Sequence, residues 1–224
     1  MSTAAELAEL VAVMDRLRSP GGCPWDAEQT HASLVPFAIE EVYEVAEAVE
    51  TGDREGLREE LGDLLLQVVF HARIAEEHPT EPFTLGDVAA GTAEKLRRRH
   101  PHVFADATVR DAEHQTRRWD EIKKAEKDRS SALDGIPAAL PALARAQAVL
   151  ARGRRASLDV GSATAPDGSV VASAGGAPAD EVAVGQELLE VVRRAELAGV
   201  DADAALRRAV RELEERVRTS ERRA

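Results

Sequence analysis

Two short segments carry acids at helical spacing: Glu40-Glu41-Val-Tyr-Glu44 and Glu60-Leu-Gly-Asp63, with fifteen residues between Glu44 and Glu60. The second runs straight into Leu64-Leu-Leu-Gln-Val-Val-Phe70. On a helix, residues three apart share a face, so Glu41 converges with Glu44 and Glu60 with Asp63. A helix that is apolar almost all round is a buried one, which places Asp63 at the start of a core helix. The short turn at Thr51-Gly52-Asp53 makes the two helices antiparallel neighbours. Four carboxylates can then meet across one helix pair. Like charges held there repel and lose hydration unless a proton or a cation neutralises them.

The rest of the chain fits an all-α fold. Aromatic residues are only 3% of the 224, so a core must be built from Leu, Val, Ile and Ala, which favours helix on helix. Leu7, Leu10, Met14 and Leu17 define an amphipathic helix over 3–18, stopped by Pro20-Gly21-Gly22. Asp26-Ala-Glu-Gln29 reads as an N-cap with a capping-box partner. A second helix is expected from Pro36 to about Val49, with Ile39, Val42, Ala46 and Val49 as its apolar face, and a third over 55–77. A fourth follows a cap at Asp87 and ends near Arg99, and a fifth spans 111–127. No segment shows strand alternation.

Charge divides along the chain. Residues 40–63 hold ten acids and two bases, whereas 94–129 hold eleven bases and eight acids. That division suits a cation together with a polyanion. All-oxygen ligands favour a hard ion, Mg²⁺ or Mn²⁺. Glu47, Glu50, Glu55 and Glu59 read as ordinary solvated acids. A di-iron site would need Glu-x-x-His pairs, and both pairs here end in an acid. Lys95 and Arg99 lie four apart, as do Trp119 and Lys123. Lys95, Arg98 and Arg99 fit either a dipole-stabilised helix C-terminus or a phosphate-neutralising patch, and Trp119 either core packing or a stacking surface for a base.

At these residues the sequence resembles the MazG family of nucleoside triphosphate pyrophosphohydrolases. The family pattern Glu-Glu-x-x-Glu, spacer, Glu-x-x-Asp stands here as Glu40-Glu41-x-x-Glu44 and Glu60-x-x-Asp63. Gly22-Cys-Pro-Trp-Asp26-x-x-Gln29-Thr-His31, Arg98-Arg-His-Pro-His-Val-Phe104 and Leu133-Asp-Gly-Ile-Pro137 also match family stretches, so the likeness covers about residues 10–155. The resemblance implies an antiparallel helix bundle that forms a homodimer. It also implies Mg²⁺-dependent hydrolysis between the α and β phosphates, giving nucleoside monophosphate and pyrophosphate, with clearing of non-standard nucleotides as one role. By position, Glu41, Glu44, Glu60 and Asp63 would hold the metal. Lys95, Arg98, Arg99 and Lys123 would meet the phosphates, with Lys95 also placed among the catalytic groups. Trp119 would lie near the nucleoside. Glu40 is the candidate for orienting or deprotonating the attacking water. Other readings are a relative specialised for dUTP, dCTP or a phosphoribosyl-nucleotide, and a non-catalytic nucleotide-sensing module.

The C-terminal part differs in kind. From Ser157 to Asp180, sixteen of twenty-four residues are Ala, Gly, Ser or Pro, a composition expected of a flexible linker. Gly62–Ala75 aligns with Gly185–Ala198, identical at seven of fourteen positions, which points to an internal repeat. In the second copy Ala183-x-x-Gln186 replaces the Glu-x-x-Asp, and Glu212 stands where Lys95 would. The expected organisation is a catalytic domain over 1–130, a connecting helix over 131–156, a linker over 157–180 and degenerate repeat helices over 181–224. A net charge of −12 argues against nucleic-acid or anionic-membrane binding, and a single cysteine, Cys23, rules out an internal disulfide or a CxxC zinc site. With no signal-like N-terminus and no stretch near 20 apolar residues, a cytoplasmic protein is expected.

Overall fold

The computed structural model describes residues 2–105, 111, 118, 131–158, 160 and 181–222. Its elements are α1 (Thr3–Arg18), α2 (Pro24–Glu28), α3 (His31–Thr51), α4 (Arg54–Ala75), α5 (Leu85–Arg99), α6 (Pro101–Phe104), α7 (Ala142–Arg155), α8 (Glu181–Leu197) and α9 (Ala202–Glu221). The fold is all-α, with no strand among the described residues. The helix expected over 111–127, and most of the Ala/Gly/Ser/Pro segment, lie outside the described residues. The chain divides into two compact units, Met1–Trp119 and Asp120–Ala224.

In the first unit α3 and α4 form a tight hairpin. Gly52 ends α3 in the left-handed conformation, φ 74°, which a residue with a Cβ adopts only at a cost. Asp53 then caps α4 by accepting from the Glu55 and Gly56 amides. α1 and α5 pack on α4, and Met14, Leu34, Val69 and Phe70 form the buried centre. Arg18 ties three elements together. Its Nε and Nη2 each donate to a Glu77 carboxylate oxygen at 2.8 Å, its Nη1 donates to the Asp26 carbonyl, and its guanidinium lies over the Phe70 ring. Arg73 adds bonds to Asp15 and Glu77.

Four expectations change. α3 begins at His31, not Pro36: Thr30 and Ser33 cap each other reciprocally and Leu34 is buried, which outweighs the one backbone bond Pro36 forfeits. Asp26 is inside α2 and not its cap, because Pro24 at the first helical position starts that turn earlier. Thr84 caps α5, with Asp87 as the reciprocal partner three residues on.

The fourth change concerns the apolar face of α3. Ile39, Val42 and Val49 are 50%, 51% and 60% exposed. The side of α3 that turns inward carries Leu34, Ala38, Glu41, Val45 and Ala48, each buried or half-buried. Both sets repeat at spacings of three and four, one residue out of phase, so α3 carries two adjacent apolar seams and the unit covers one. Likewise α4 is not buried all round: Leu61 and Val68 are exposed.

In the second unit α7, α8 and α9 pack around Leu150, Val192 and Ala202. Gln147 joins the helices, donating to the Val200 carbonyl and accepting from the Ala202 amide. Arg193, which aligns with buried Phe70, is half-buried and donates to Glu190 and to the Val160 carbonyl.

Candidate metal centre on the helix hairpin

The hairpin turn fixes the level at which the acids of its two arms meet. Glu41, Glu60 and Asp63 each bring an oxygen within 4.8 Å of the others, and all three are half-buried. Glu44 is exposed and lies outside that trio, but close enough for its charge to bear on both Glu41 and Glu60. Three of the four acids chosen from the sequence as metal ligands thus converge, with Glu44 beside them.

The electrostatics follow from that crowding. Burial, then the hydrogen bond to Glu44 and the charges of Asp63, Glu44 and Glu60, hold the Glu41 carboxyl above its ordinary range. Desolvation, and then the charges of Glu44, Asp63 and Glu59, push Glu60 the same way. The cluster therefore takes up either protons or a cation. With only oxygen donors, on two helices whose spacing is fixed, it fits a hard divalent ion.

The other candidates are placed less centrally. Glu40 is exposed and stands outside the cluster, since a helical step of about 100° turns it away from Glu41. Lys95 is half-buried and Arg99 buried on α5, the helix that packs on α4. Arg98 is exposed and pairs with Glu94 at 3.5 Å. Trp119 and Lys123 lie outside the described residues.

The structure also shows polar features that the sequence reading passed over. Gln67, one turn beyond Asp63, is 8% exposed and its Oε1 has no partner. His31 and His71 face each other across the hairpin with Nδ1 atoms 2.8 Å apart. The spacing held a clue to the latter, because the pairing that sets Glu41 opposite Asp63 carries residue 31 to the level of residues near 72.

Fold and geometry together define a class: an all-α protein with a carboxylate cluster on a two-helix hairpin. Residues 29–104 match the MazG nucleotide pyrophosphohydrolase domain. The nucleoside triphosphate pyrophosphohydrolase/pyrophosphatase MazG of Thermotoga maritima is 38% identical over 224 residues, covering 95% of this chain and 84% of that protein. An uncharacterized 26.1 kDa protein in the blaB 3′ region of Streptomyces cacaoi is 43% identical over 218 residues, 97% of this chain and 83% of that one. The nucleoside triphosphate pyrophosphohydrolase of Escherichia coli K12 is 48% identical over 151 residues, and there the match spans 66% of this chain and 57% of the relative. The chain belongs to the MazG family.

Proposed function

We propose that this protein is a nucleoside triphosphate pyrophosphohydrolase that uses a divalent cation, Mg²⁺ or Mn²⁺, to cut between the α and β phosphates. The observation that carries the reading is the convergence of Glu41, Glu60 and Asp63, with the charge of Glu44 beside them. It is supported by the activity for which the relatives are named. A cation held there supplies charge that polarises phosphoryl oxygens and makes water more acidic. The four carboxylates would hold and orient that cation. Lys95, on the adjoining helix, neutralises phosphate charge, and Arg99 and Arg98 add positive potential at the end of α5. Lys123 and Trp119 are assigned to phosphate and nucleoside by the family resemblance. Glu40, exposed and one residue from the cluster, accepts a proton from the incoming water only if substrate or a second subunit draws it in.

The uncovered seam of α3, with Val35, Ile39, Val42 and Val49, supports a homodimer in which a second copy packs on the hairpin. The second unit supports a reading as a degenerate repeat: Ala183 and Gln186 offer no carboxylate, so it contributes structure and not metal binding. Clearing of non-standard nucleotides in the cytoplasm is the proposed role.

Pyrophosphate release from a panel of nucleoside triphosphates, with and without Mg²⁺, tests the reaction. Release that requires Mg²⁺, yields monophosphate and is abolished by Glu41→Gln supports it. Orthophosphate as the product would place the cut at another bond, and nucleotide binding without turnover would favour the sensing module.

A further inference from the structure

His31 is the first residue of α3 and His71 lies near the C-terminal end of α4. Their Nδ1 atoms are 2.8 Å apart, their ring planes are within 2° and their centroids are 5.1 Å apart. In an imidazole, Nδ1 lies about 1.2 Å from the ring centre, so that centroid distance is reached only when both nitrogens lie on the line joining the rings. The rings are therefore edge to edge and not face to face. This is an in-plane Nδ1–H···Nδ1 hydrogen bond of good direction.

Such a bond has strict proton requirements. One ring donates from Nδ1, and the other must have a bare Nδ1 and carry its proton on Nε2. The pair can be neutral or carry one positive charge, but two charges would set N–H against N–H. Burial and the charge of His31 both lower the proton affinity of His71, so in the singly charged pair His71 is the neutral ring that accepts. The last turn of α1 brings Asp15, Arg16 and Arg18, α2 brings Asp26 and Glu28, and Arg73 and Glu77 lie at and just past the end of α4; none of these is among the causes that move His71. Arg18 is bonded to Glu77, and Arg73 to Asp15 and Glu77. From α5, Asp87 is engaged by Thr84. His31 is thus the charge that acts on His71.

The pair shares its hairpin with the carboxylate cluster. In an antiparallel pair, residue numbers at one level add to a constant. That constant is 104 for Glu41 with Asp63 and for Glu44 with Glu60, and 102 for His31 with His71. The cluster lies between two anchors, the Gly52 turn at the closed end and the histidine bond about 12 to 15 Å beyond it.

We propose that the His31–His71 hydrogen bond is a positioning device for the carboxylate site: it fixes α3 against α4 at the open end of the hairpin and releases that hold when both rings become charged. The inference rests on the metal-site reading for its consequence, though not for the bond itself. The histidines stand about 12 to 15 Å along the hairpin from Glu41 and Asp63, too far to ligate a cation held there.

The test compares the full-length protein with His71→Gln, which keeps a hydrogen-bonding group but cannot charge, and His71→Leu, which has none. A histidine with lowered proton affinity in the fold confers stability above its ordinary value of 6.5 that drains away as pH falls below it. The wild-type melting temperature should therefore drop between pH 7 and 5.5 more steeply than that of His71→Gln, since the carboxylates contribute equally to both. Side-chain ¹⁵N spectra at pH 7.5 should show each ring as a single tautomer, one Nδ1–H and the other Nε2–H. At that pH, Mn²⁺ affinity should be kept in His71→Gln and fall by about tenfold in His71→Leu, the scale of losing a group that positions metal ligands. Equal pH slopes in wild type and His71→Gln, or an ordinary tautomer mixture at His71, would overturn the bond. Folded His71→Leu that binds Mn²⁺ like wild type would overturn the positioning role alone. No Mn²⁺ binding by any of the three would overturn both that role and the metal reading.

Discussion

Replacing Glu41 with Gln removes one charge from the cluster while keeping the side chain's size and its capacity to hydrogen-bond Glu44. Its ligand oxygen lies within 4.8 Å of those of Glu60 and Asp63. Two unit charges at that separation repel by about 3.5 kcal/mol at an effective dielectric near 20, and by about 1 kcal/mol in bulk water. These side chains are half-buried, so the effective repulsion lies between those two limits. The metal-free variant should therefore gain about 1 to 2 kcal/mol, at roughly 2 to 4 °C for each kcal/mol in a chain of this size. The assay is a thermal melt of both proteins with and without Mn²⁺. Wild type should be the less stable protein in chelator and gain more from the ion, because a ligand bound only by the folded state stabilises it. The pH dependence has a definite sign. A carboxyl whose folded proton affinity is raised favours the fold at low pH, and that contribution is lost as pH rises from 4.5 through the folded value. Glu41→Gln should flatten that slope. A variant that is less stable than wild type in chelator, or that gains as much from Mn²⁺, would refute the account of the cluster as a set of crowded ligands.

Three further perturbations probe the frame around the site. Gly52→Ala should cost about 1 kcal/mol, read as a shift in urea midpoint, because no atom lies within 4 Å of the added Cβ and only the left-handed backbone is strained. Gln67→Met, of similar volume, should stabilise the metal-free protein by about 1 kcal/mol in the same assay, since it removes a buried acceptor that has no partner. Arg18→Lys should destabilise by about 1 to 3 kcal/mol in chemical denaturation, because an ammonium cannot bond both Glu77 oxygens and the Asp26 carbonyl in one plane. The hydrogen bond from Arg18 is also the main cause holding the Glu77 carboxyl below its ordinary range. The associated stability is present above 4.5 and lost as pH falls through the lower folded value, and Arg18→Lys should shrink that acid-side loss.

The carboxylate cluster was legible in the sequence because it depends on two regular things, the helical repeat and a tight turn. Glu41 and Glu44 converge on Glu60 and Asp63 for reasons that hold on any straight helix pair. What sequence reasoning missed was decided by contacts between elements. Pro36 reads as a start signal, and only the reciprocal bonds of Thr30 and Ser33, with Leu34 buried behind them, show that the helix begins a turn and a half earlier. Periodicity found an apolar seam at Ile39, Val42, Ala46 and Val49, but periodicity does not say which of two adjacent seams a neighbour covers. The His31–His71 bond joins residues forty apart, and neither residue has a local pattern that announces the other.

The Gly52 turn makes the hairpin a ruler. Counted outward from Gly52, the acids fall at eight and eleven residues on each arm, so the ligand set is a palindrome in chain position. One residue added to a single arm would rotate its two acids by about 100° and slide them about 1.5 Å, scattering the set. Seven residues added to both arms, close to two full turns, would move the whole cluster outward nearly intact. Length variation in these two helices is therefore tolerated in matched steps or not at all. By the same arithmetic, a graft of the centre onto another helical protein needs the turn and an equal count on each side of it.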